Sequence, residues 1–262
     1  MNKKAGMNEW NPEQYLQFKS ERTQPAIDLV SRINIAKVQS IIDIGCGPGN
    51  STQILVNRWP DSEVVGLDNS ITMIEKARKD YPKQKWIVDN AENIDPDSKY
   101  DLIFSNATLQ WIPHHEILLP KLFNCVNPGG AVAIQIPKFK NMPINVAIET
   151  VANRDNWINY TKGCEELFTL KDLGFYYDII SKLAAGVELW ESSYFHILNS
   201  QESVIDFVRT TGLKPYLDRL AAEEMKSEFE QEVLTECKKY YKLQSDGKVL
   251  FPFDRLFFIG YK

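Results

Sequence analysis

The chain is 262 residues long, 44% hydrophobic and 25% charged, with a formal net charge of −5. That length allows one large α/β domain with a helical elaboration and a sizeable core. Lys and Arg are interspersed among the acids, which leaves no basic face for a phosphate backbone, so no nucleic-acid partner is expected.

The first ten residues are polar and carry no apolar run of the kind a secretory signal needs; Met1 to Gly6 reads as a disordered extension ahead of an alternative start at Met7. A helix is predicted over 14–32. A strand over 40–44 contains Ile41-Ile42-Asp43-Ile44 and opens into alternating glycines at Gly45, Gly47 and Gly49. Glycines there permit a sharp turn and let a ligand lie against the backbone, and Asn50, Ser51 and Thr52 are residues that cap helix N-termini. The spacing departs from the dinucleotide fingerprint G-x-G-x-x-G, because Asn50 stands where the third glycine belongs, and no G-K-[ST] follows to make a P-loop. Asp43 would repel a pyrophosphate; it suits a ligand carrying positive charge, such as an amino group or a sulfonium.

After a helix at 51–58, a second strand at 63–67 runs into Asp68, an acid placed to accept from both hydroxyls of a ribose. The bland alternative is a cap for the next helix, 71–80, which Ser70 fills equally well. A third strand at 85–88 delivers Asp89-Asn90-Ala91, where a polar side chain can bond an adenine amine and Ala91 offers a backbone N–H. A fourth, at 101–104, leads into Ser105-Asn106-Ala107. His114 and His115 read as the start of a surface helix over 115–124, and a fifth strand lies at 131–136. Five strands alternating with helices demand a parallel sheet with right-handed crossovers.

Residues 138–183 read as mostly helical, ending in a crossover helix from Asp172 to Ala185. Val187 to Leu198 is a sixth strand, Gln201 to Leu243 is amphipathic and helical with breaks at Gly212 and Pro215, and Leu250 to Tyr261 is a seventh strand. Roughly fifty residues separate the last two strands, too many for a plain loop. They are read, with 138–170, as helical cap insertions (138–170 and 200–245) within a single domain whose cofactor half spans about 30–137. No stretch approaches the ~20 apolar residues of a membrane span. Cys46, Cys125, Cys164 and Cys237 form no C-x-x-C pair and only three histidines occur, so no metal site is expected. Free thiols and the lack of an export signal point to the cytoplasm.

Asp43-x-Gly45-x-Gly47-x-Gly49, Asp68, Asn90-Ala91, Asp101 and Asn127-Pro128-Gly129-Gly130 together resemble the class I S-adenosylmethionine-dependent methyltransferases. More narrowly, Glu9-Trp10-Asn11-Pro12, Tyr15-Leu16, Glu21-Arg22, Gly45 to Thr52, Arg58-Trp59-Pro60, Asn106-Ala107-Thr108-Leu109-Gln110-Trp111 and Arg255-Leu256-Phe257 are similar to the trans-aconitate methyltransferases. The resemblance runs from about Met7 to the C-terminus. It implies a Rossmann-like, seven-stranded, mostly parallel sheet with helices on both faces and a helical cap. It also implies S-adenosylmethionine as cofactor, held by Asp43, Gly45, Gly47, Gly49, Asp68, Asn69, Met73, Asn90, Ala91 and Asn106. One position departs: the family usually carries Asp where this chain has Asn90. The Asn carbonyl can still accept from the adenine amine, and Asp89 beside it is the alternative.

The acceptor so implied is a carboxylate of a small polycarboxylic acid, trans-aconitate. It is ionised at pH 7, so no catalytic base is required; rate comes from aligning an oxygen with the methyl and its S–C bond and from removing water. Such an acceptor needs cations and donors in its pocket. Arg22 is the first candidate, with Trp10, Tyr15 and Phe18 preceding it, and Gln110 and Trp111 follow the fourth strand. His196, Tyr194, Arg209 and Arg255 are weaker. The competing readings are structural ion pairs for the arginines, core packing for Trp10 and Trp111, and a buried hydrogen-bonded residue for His196. Rival functions are methylation of another carboxylic acid or a hydroxyl, and a catalytically silent S-adenosylmethionine-binding module; an oxidoreductase is disfavoured by Asn50 and Asp43. A monomer or small homo-oligomer is expected.

Overall fold

The computed structural model describes residues 9–262; the expected extension at Met1–Gly6 and the alternative start at Met7 lie outside the described residues. The helix predicted over 14–32 is two helices. In α1 (Pro12–Leu16) Asn11 accepts from the amides of Glu13 and Gln14, and Pro12 takes the first turn, where it needs no N–H partner. The chain leaves helical geometry at Phe18, with ψ of 42°, and restarts as α2 (Lys19–Arg32).

The alternation that follows is β1 (Ser40–Ile44), α3 (Asn50–Arg58), β2 (Glu63–Asp68), α4 (Ile71–Asp80), β3 (Lys85–Val88), β4 (Tyr100–Asn106), α5 (His115–Asn124) and β5 (Val126–Pro137). Two strands are longer than expected. β4 absorbs Ser105 and Asn106, and β5 begins at Val126 with a register irregularity between Tyr100 and Leu102. Then come α6 (Pro143–Ala152), α7 (Ile158–Thr161), α8 (Leu173–Ile180), β6 (Gly186–Leu198), α9 (Glu202–Arg209), α10 (Lys214–Leu217), α11 (Glu223–Cys237) and β7 (Val249–Tyr261).

The seven strands form one sheet in the order β3-β2-β1-β4-β5-β7-β6. The pairings from β3 through β5 are parallel, and β7 runs antiparallel to β5. The order reverses between β1 and β4, and ligands of open α/β sheets bind outside the carboxyl ends of the strands at that switch point. Alternation sorts the side chains to two faces. Ile42, Ile44, Ile103, Ile134 and Ile136 join Leu118, Leu119 and Leu122 of α5 and Tyr176 and Ile180 of α8 in one buried core. Asp43, Phe104, Asn106 and Gln135 take the opposite face by register, toward α2 and α3.

The expected motif residues Asp101 and Asn127 lie at the other end of the sheet from the switch point. Asp101 Oδ2 accepts from the amides of Gln39 and Ser40 at 2.7 and 3.1 Å, and Oδ1 accepts from Asn127 Nδ2 at 2.8 Å. Partial burial pushes that carboxyl up, but the bonds from Asn127, Gln39 and Ser40 outweigh it and hold the pKa below its ordinary value. The pair ties the starts of β1, β4 and β5 together.

By internal contacts the described chain divides into two units, one of Trp10–Pro137, Thr169–Glu191 and Arg255–Lys262, the other of Lys138–Phe168 and Ser192–Asp254 with Glu9. In the second unit α6 packs on α11. Trp157 meets Phe229 edge-on at 5.2 Å, and Arg154 pairs with Glu232 and Glu236 of α11. Among the described residues no helix is long and apolar enough to cross a membrane.

Candidate functional site

The loop from Gly45 to Gly49 is tied down on both sides. The amides of Gly45 and Cys46 donate to Leu67 O at 2.7 and 3.1 Å, and Gly47 N donates to Asp68 Oδ2 at 2.9 Å. From β4 and the turn after it, Ser105 Oγ donates to Ile44 O at 2.8 Å and Thr108 Oγ1 to Gly45 O at 3.2 Å. All three glycines have positive φ, 71°, 54° and 93°, yet they serve different ends. A Cβ on Gly45 would lie 2.0 Å from Thr108, and one on Gly49 2.7 Å from Trp86, so these two allow close packing. A Cβ on Gly47 would meet nothing within 4 Å. Gly47, like Gly45, borders a cavity, and at Gly47 the space above the Cα is open.

Asp43 stands behind this loop. It is fully buried, and its Oδ2 accepts from Ser51 Oγ and Thr52 Oγ1, both at 2.7 Å. Burial pushes the pKa up to about 6, opposed by those two hydroxyls and reinforced by the charge of Asp68. One expectation is corrected here. Ser51 and Thr52 do not cap α3, whose N-cap is Gly49 without a side-chain bond. Through those two hydroxyls Asp43 braces the corner between β1 and α3, while its Oδ1 is buried with no hydrogen-bond partner among the described residues.

The cavity is walled by the loop, by Asn50, Ser51 and Asn106, and by Tyr15, Arg22, Thr23 and Ala26 from the N-terminal helices. Arg22 is 8% exposed. Its guanidinium carbon lies 4.2 Å from the centroid of the Tyr15 ring, a cation–π contact. Burial lowers the Arg22 pKa from its ordinary value, with Tyr15 and Glu21 acting against the shift. Asn50 Nδ2 and Asn106 Oδ1 are buried and have no hydrogen-bond partner among the described residues. An unused donor and acceptor on one cavity wall are costly in the empty protein and useful to a polar ligand.

Asp68 Oδ1 accepts from Ser70 N at 2.9 Å and Oδ2 from Gly47 N at 2.9 Å, so the carboxylate ties the end of β2 to the glycine loop. Ser70 is the cap of α4, accepting from Met73 N, and Met73 itself is buried. Beyond β3, Asp89 Oδ1 accepts from Asn90 N and Asn93 Nδ2, both at 2.7 Å, and so shapes the turn that begins at the buried Ala91. Asn90 is exposed, its Oδ1 accepting from Nδ2 of the exposed Asn69 at 3.2 Å.

After β4, Gln110 Nε2 donates to Ala107 O at 2.6 Å, and its Oε1 is buried with no hydrogen-bond partner among the described residues. Trp111 meets Trp10 edge-on with centroids 5.4 Å apart, and Trp10 O accepts from Thr72 Oγ1 at 2.7 Å. The N-terminal segment is thereby laid across α4 and the turn after β4.

His115 corrects the surface reading of that helix start. It is fully buried, with Nε2 2.9 Å from Leu109 O and Nδ1 2.8 Å from Tyr176 Oη. A carbonyl only accepts, so Nε2 carries the proton and Nδ1 accepts from the tyrosine. Burial holds the imidazole pKa below its ordinary value. A neutral histidine thus pins the turn that carries Gln110 and Trp111.

Three weaker candidates belong to the other unit. Arg209 is held by Glu230 through Nε and Nη2, at 2.6 and 3.0 Å, and by Asp206 at 2.5 Å, a structural ion-pair cluster. His196 is buried among Phe207, Phe251 and Phe253, its ring 5.2 Å from that of Phe207, with Tyr194 at 6.4 Å. Arg255 is buried in the first unit and its Nη1 donates to Gln135 Oε1 at 3.3 Å. Gln135 went unnoticed in the sequence, although a lone amide inside the apolar run 131–136 was a legible signal. Among the described residues no group of three or more His, Cys, Asp or Glu side chains could hold a metal ion.

Residues 41–130 match the model of a methyltransferase domain family. The chain is similar to trans-aconitate 2-methyltransferase of Variovorax paradoxus, 38% identical over 98% of this chain and 99% of that one. It is also similar to the enzymes of the same name from Rhodopseudomonas palustris (37%; 98% and 100% covered) and Escherichia coli (38%; 97% and 98% covered). Among solved structures it is similar in fold to phosphoethanolamine N-methyltransferase 2 of Haemonchus contortus in complex with S-adenosyl-L-methionine. The TM-score there is 0.59 at 17% identity, over 96% of this chain and 56% of that one.

Proposed function

The chain belongs to the family of trans-aconitate 2-methyltransferases, and on that premise we propose that it transfers the methyl group of S-adenosylmethionine to a carboxylate of a small polycarboxylic acid, with trans-aconitate as acceptor. The observation that carries this reading is one cavity bounded by the glycine loop on one side and the buried Arg22–Tyr15 pair on the other.

The cofactor fits the residues present: Gly47 leaves ligand space, and Asn50 and Asn106 hold an unused donor and acceptor on the wall. We assign its contacts to the backbone of Gly45, Gly47 and Gly49, to Asp68 for the ribose hydroxyls, to Asn69, Met73, Asn90 and Ala91 around the adenine, and to Asn106. Asp89, already committed to Asn90 N and Asn93, is not needed for the adenine. Asp43 braces the loop. When bound, S-adenosylmethionine supplies a sulfonium methyl whose S–C bond breaks as an acceptor oxygen bonds to the carbon.

The protein's own residues bind and orient. Arg22 takes an acceptor carboxylate, its position fixed by Tyr15; Gln110 and Trp111, held by His115, flank the acceptor, and Trp10 with Trp111 keeps water out. No residue has to accept a proton, because a carboxylic acid is already ionised at neutral pH. The insertions at about 138–170 and 200–245 are assigned to the same single methyltransferase domain as the cofactor half, and four buried free cysteines support a reducing, cytoplasmic location. We retain a monomer or small homo-oligomer, with no nucleic-acid or membrane partner.

Incubation with methyl-labelled S-adenosylmethionine and a panel of small mono-, di- and tricarboxylates tests the proposal. Transfer to trans-aconitate ahead of the rest is expected. Binding of the cofactor with transfer to no acid would favour a silent binding module.

A further inference from the structure

The carboxyl ends of β4 and β5 carry a buried polar strip that leads away from the cavity on one face of the sheet. Asn106, on the cavity wall, is the register partner of Gln135. Gln135 pairs in turn with Phe257, and Arg255 lies two residues before Phe257 on the same face. Arg255 Nη1 donates to Gln135 Oε1 at 3.3 Å. That bond fixes which end of the amide is which: the oxygen is taken by Arg255, and the NH2 end is left over. Gln135 is fully buried, and its Nε2 has no hydrogen-bond partner among the described residues. A polar amide with an idle donor, set in the run 131–136 whose other residues are Ala, Val and Ile, is not explained by packing.

A guanidinium and an amide N–H on one face, both buried, form a donor set matched to an anion with two oxygens. Arg22 approaches the same face from α2, which packs on β5 and shares the cavity wall with Asn106. We propose that Arg255 and Gln135 form a second carboxylate receptor, so that the acceptor is held at two ends, one carboxylate by Arg22 and another by Arg255 with Gln135. This rests on the carboxyl methyltransferase reading and deepens it: the site selects polycarboxylates over monocarboxylates, and the carboxylate nearest neither cation is the one left to react.

The test compares the parent protein with Gln135→Glu and Arg255→Lys. Acceptors are trans-aconitate and each dicarboxylate obtained by deleting one of its carboxylates. Gln135→Glu keeps size and gives Arg255 an internal counter-ion, so the protein should melt no lower than the parent. It should nevertheless raise KM for trans-aconitate roughly 10–100-fold, with cofactor affinity, read by calorimetry, within about twofold. Arg255→Lys, which keeps the charge and loses the fork, should shift KM in the same direction by less. For the dicarboxylate lacking the carboxylate that Arg255 holds, parent and variants should have the same KM. An unchanged KM for trans-aconitate in Gln135→Glu, an equal loss on every acid, or a parallel loss of cofactor affinity would overturn the receptor and leave the methyltransferase reading standing. Absence of transfer by the parent protein to any of these acids would overturn both.

Discussion

Gly47 is the residue whose substitution separates ligand space from folding. A Cβ there meets no protein atom within 4 Å, but a valine must adopt a φ of 54° and project into the cavity. Gly47→Val is expected to abolish cofactor binding at modest cost in stability, of order 1–2 kcal/mol, whereas Gly45→Ala, driven against Thr108, should destabilise the fold itself. Calorimetry and thermal melts on the two variants distinguish them; retained binding in Gly47→Val would remove the loop from the ligand. Asp68→Ala deletes an acceptor that serves Gly47 N, Ser70 N and, in the proposed complex, two hydroxyls. Affinity for S-adenosylmethionine should fall by about 2–4 kcal/mol, and unchanged affinity would refute the ribose assignment. Arg22 divides cofactor from acceptor. Arg22→Ala is expected to lower kcat/KM about 10²-fold, equivalent to ~2.7 kcal/mol, with Arg22→Lys already impaired because an ammonium lacks the planar fork. Equal loss of cofactor affinity would mean that Arg22 holds the cofactor's own carboxylate.

At the scale of elements, the corner between β1 and α3 stores a titration. Asp43 has a folded pKa raised to about 6 against an ordinary 3.8 because burial penalises its charge. The folded chain therefore binds that proton more tightly than the unfolded one. This group favours folding increasingly as pH falls from about 6 toward 4, and its full cost is present above pH 6. Asp43→Asn removes the slope, so the stability difference between variant and parent should change by about 2 kcal/mol between pH 4 and 7 in urea titrations; parallel curves would show that Asp43 is not strained. The strands and the acids or amides at their ends were legible because each apolar run stops at a polar residue on the same edge: Ile41-Ile42 at Asp43, Val64 to Leu67 at Asp68, Ile87-Val88 at Asp89-Asn90. What was not legible lies in contacts between elements distant in sequence. His115 bonds Tyr176, 61 residues on, and nothing local distinguishes it from the exposed His114 beside it. The break between α1 and α2 has no Gly or Pro to mark it at Gln17-Phe18. Asp43 was found by its motif, but its role followed only from which hydroxyls reach it.

For the whole molecule, the reading requires chemistry without a proton acceptor. With a carboxylate acceptor, kcat should stay level from about pH 7 to 8.5, above the Asp43 titration; a rise through that window would indicate a base and a hydroxyl or amine acceptor. The most direct measurement is the fate of label carried from methyl-labelled S-adenosylmethionine to trans-aconitate by the parent protein. The expected product is an ester, so mild alkali should release the label as methanol. Label that resists alkali, or no label on the acid at all, would contradict carboxyl methylation as the activity of this chain.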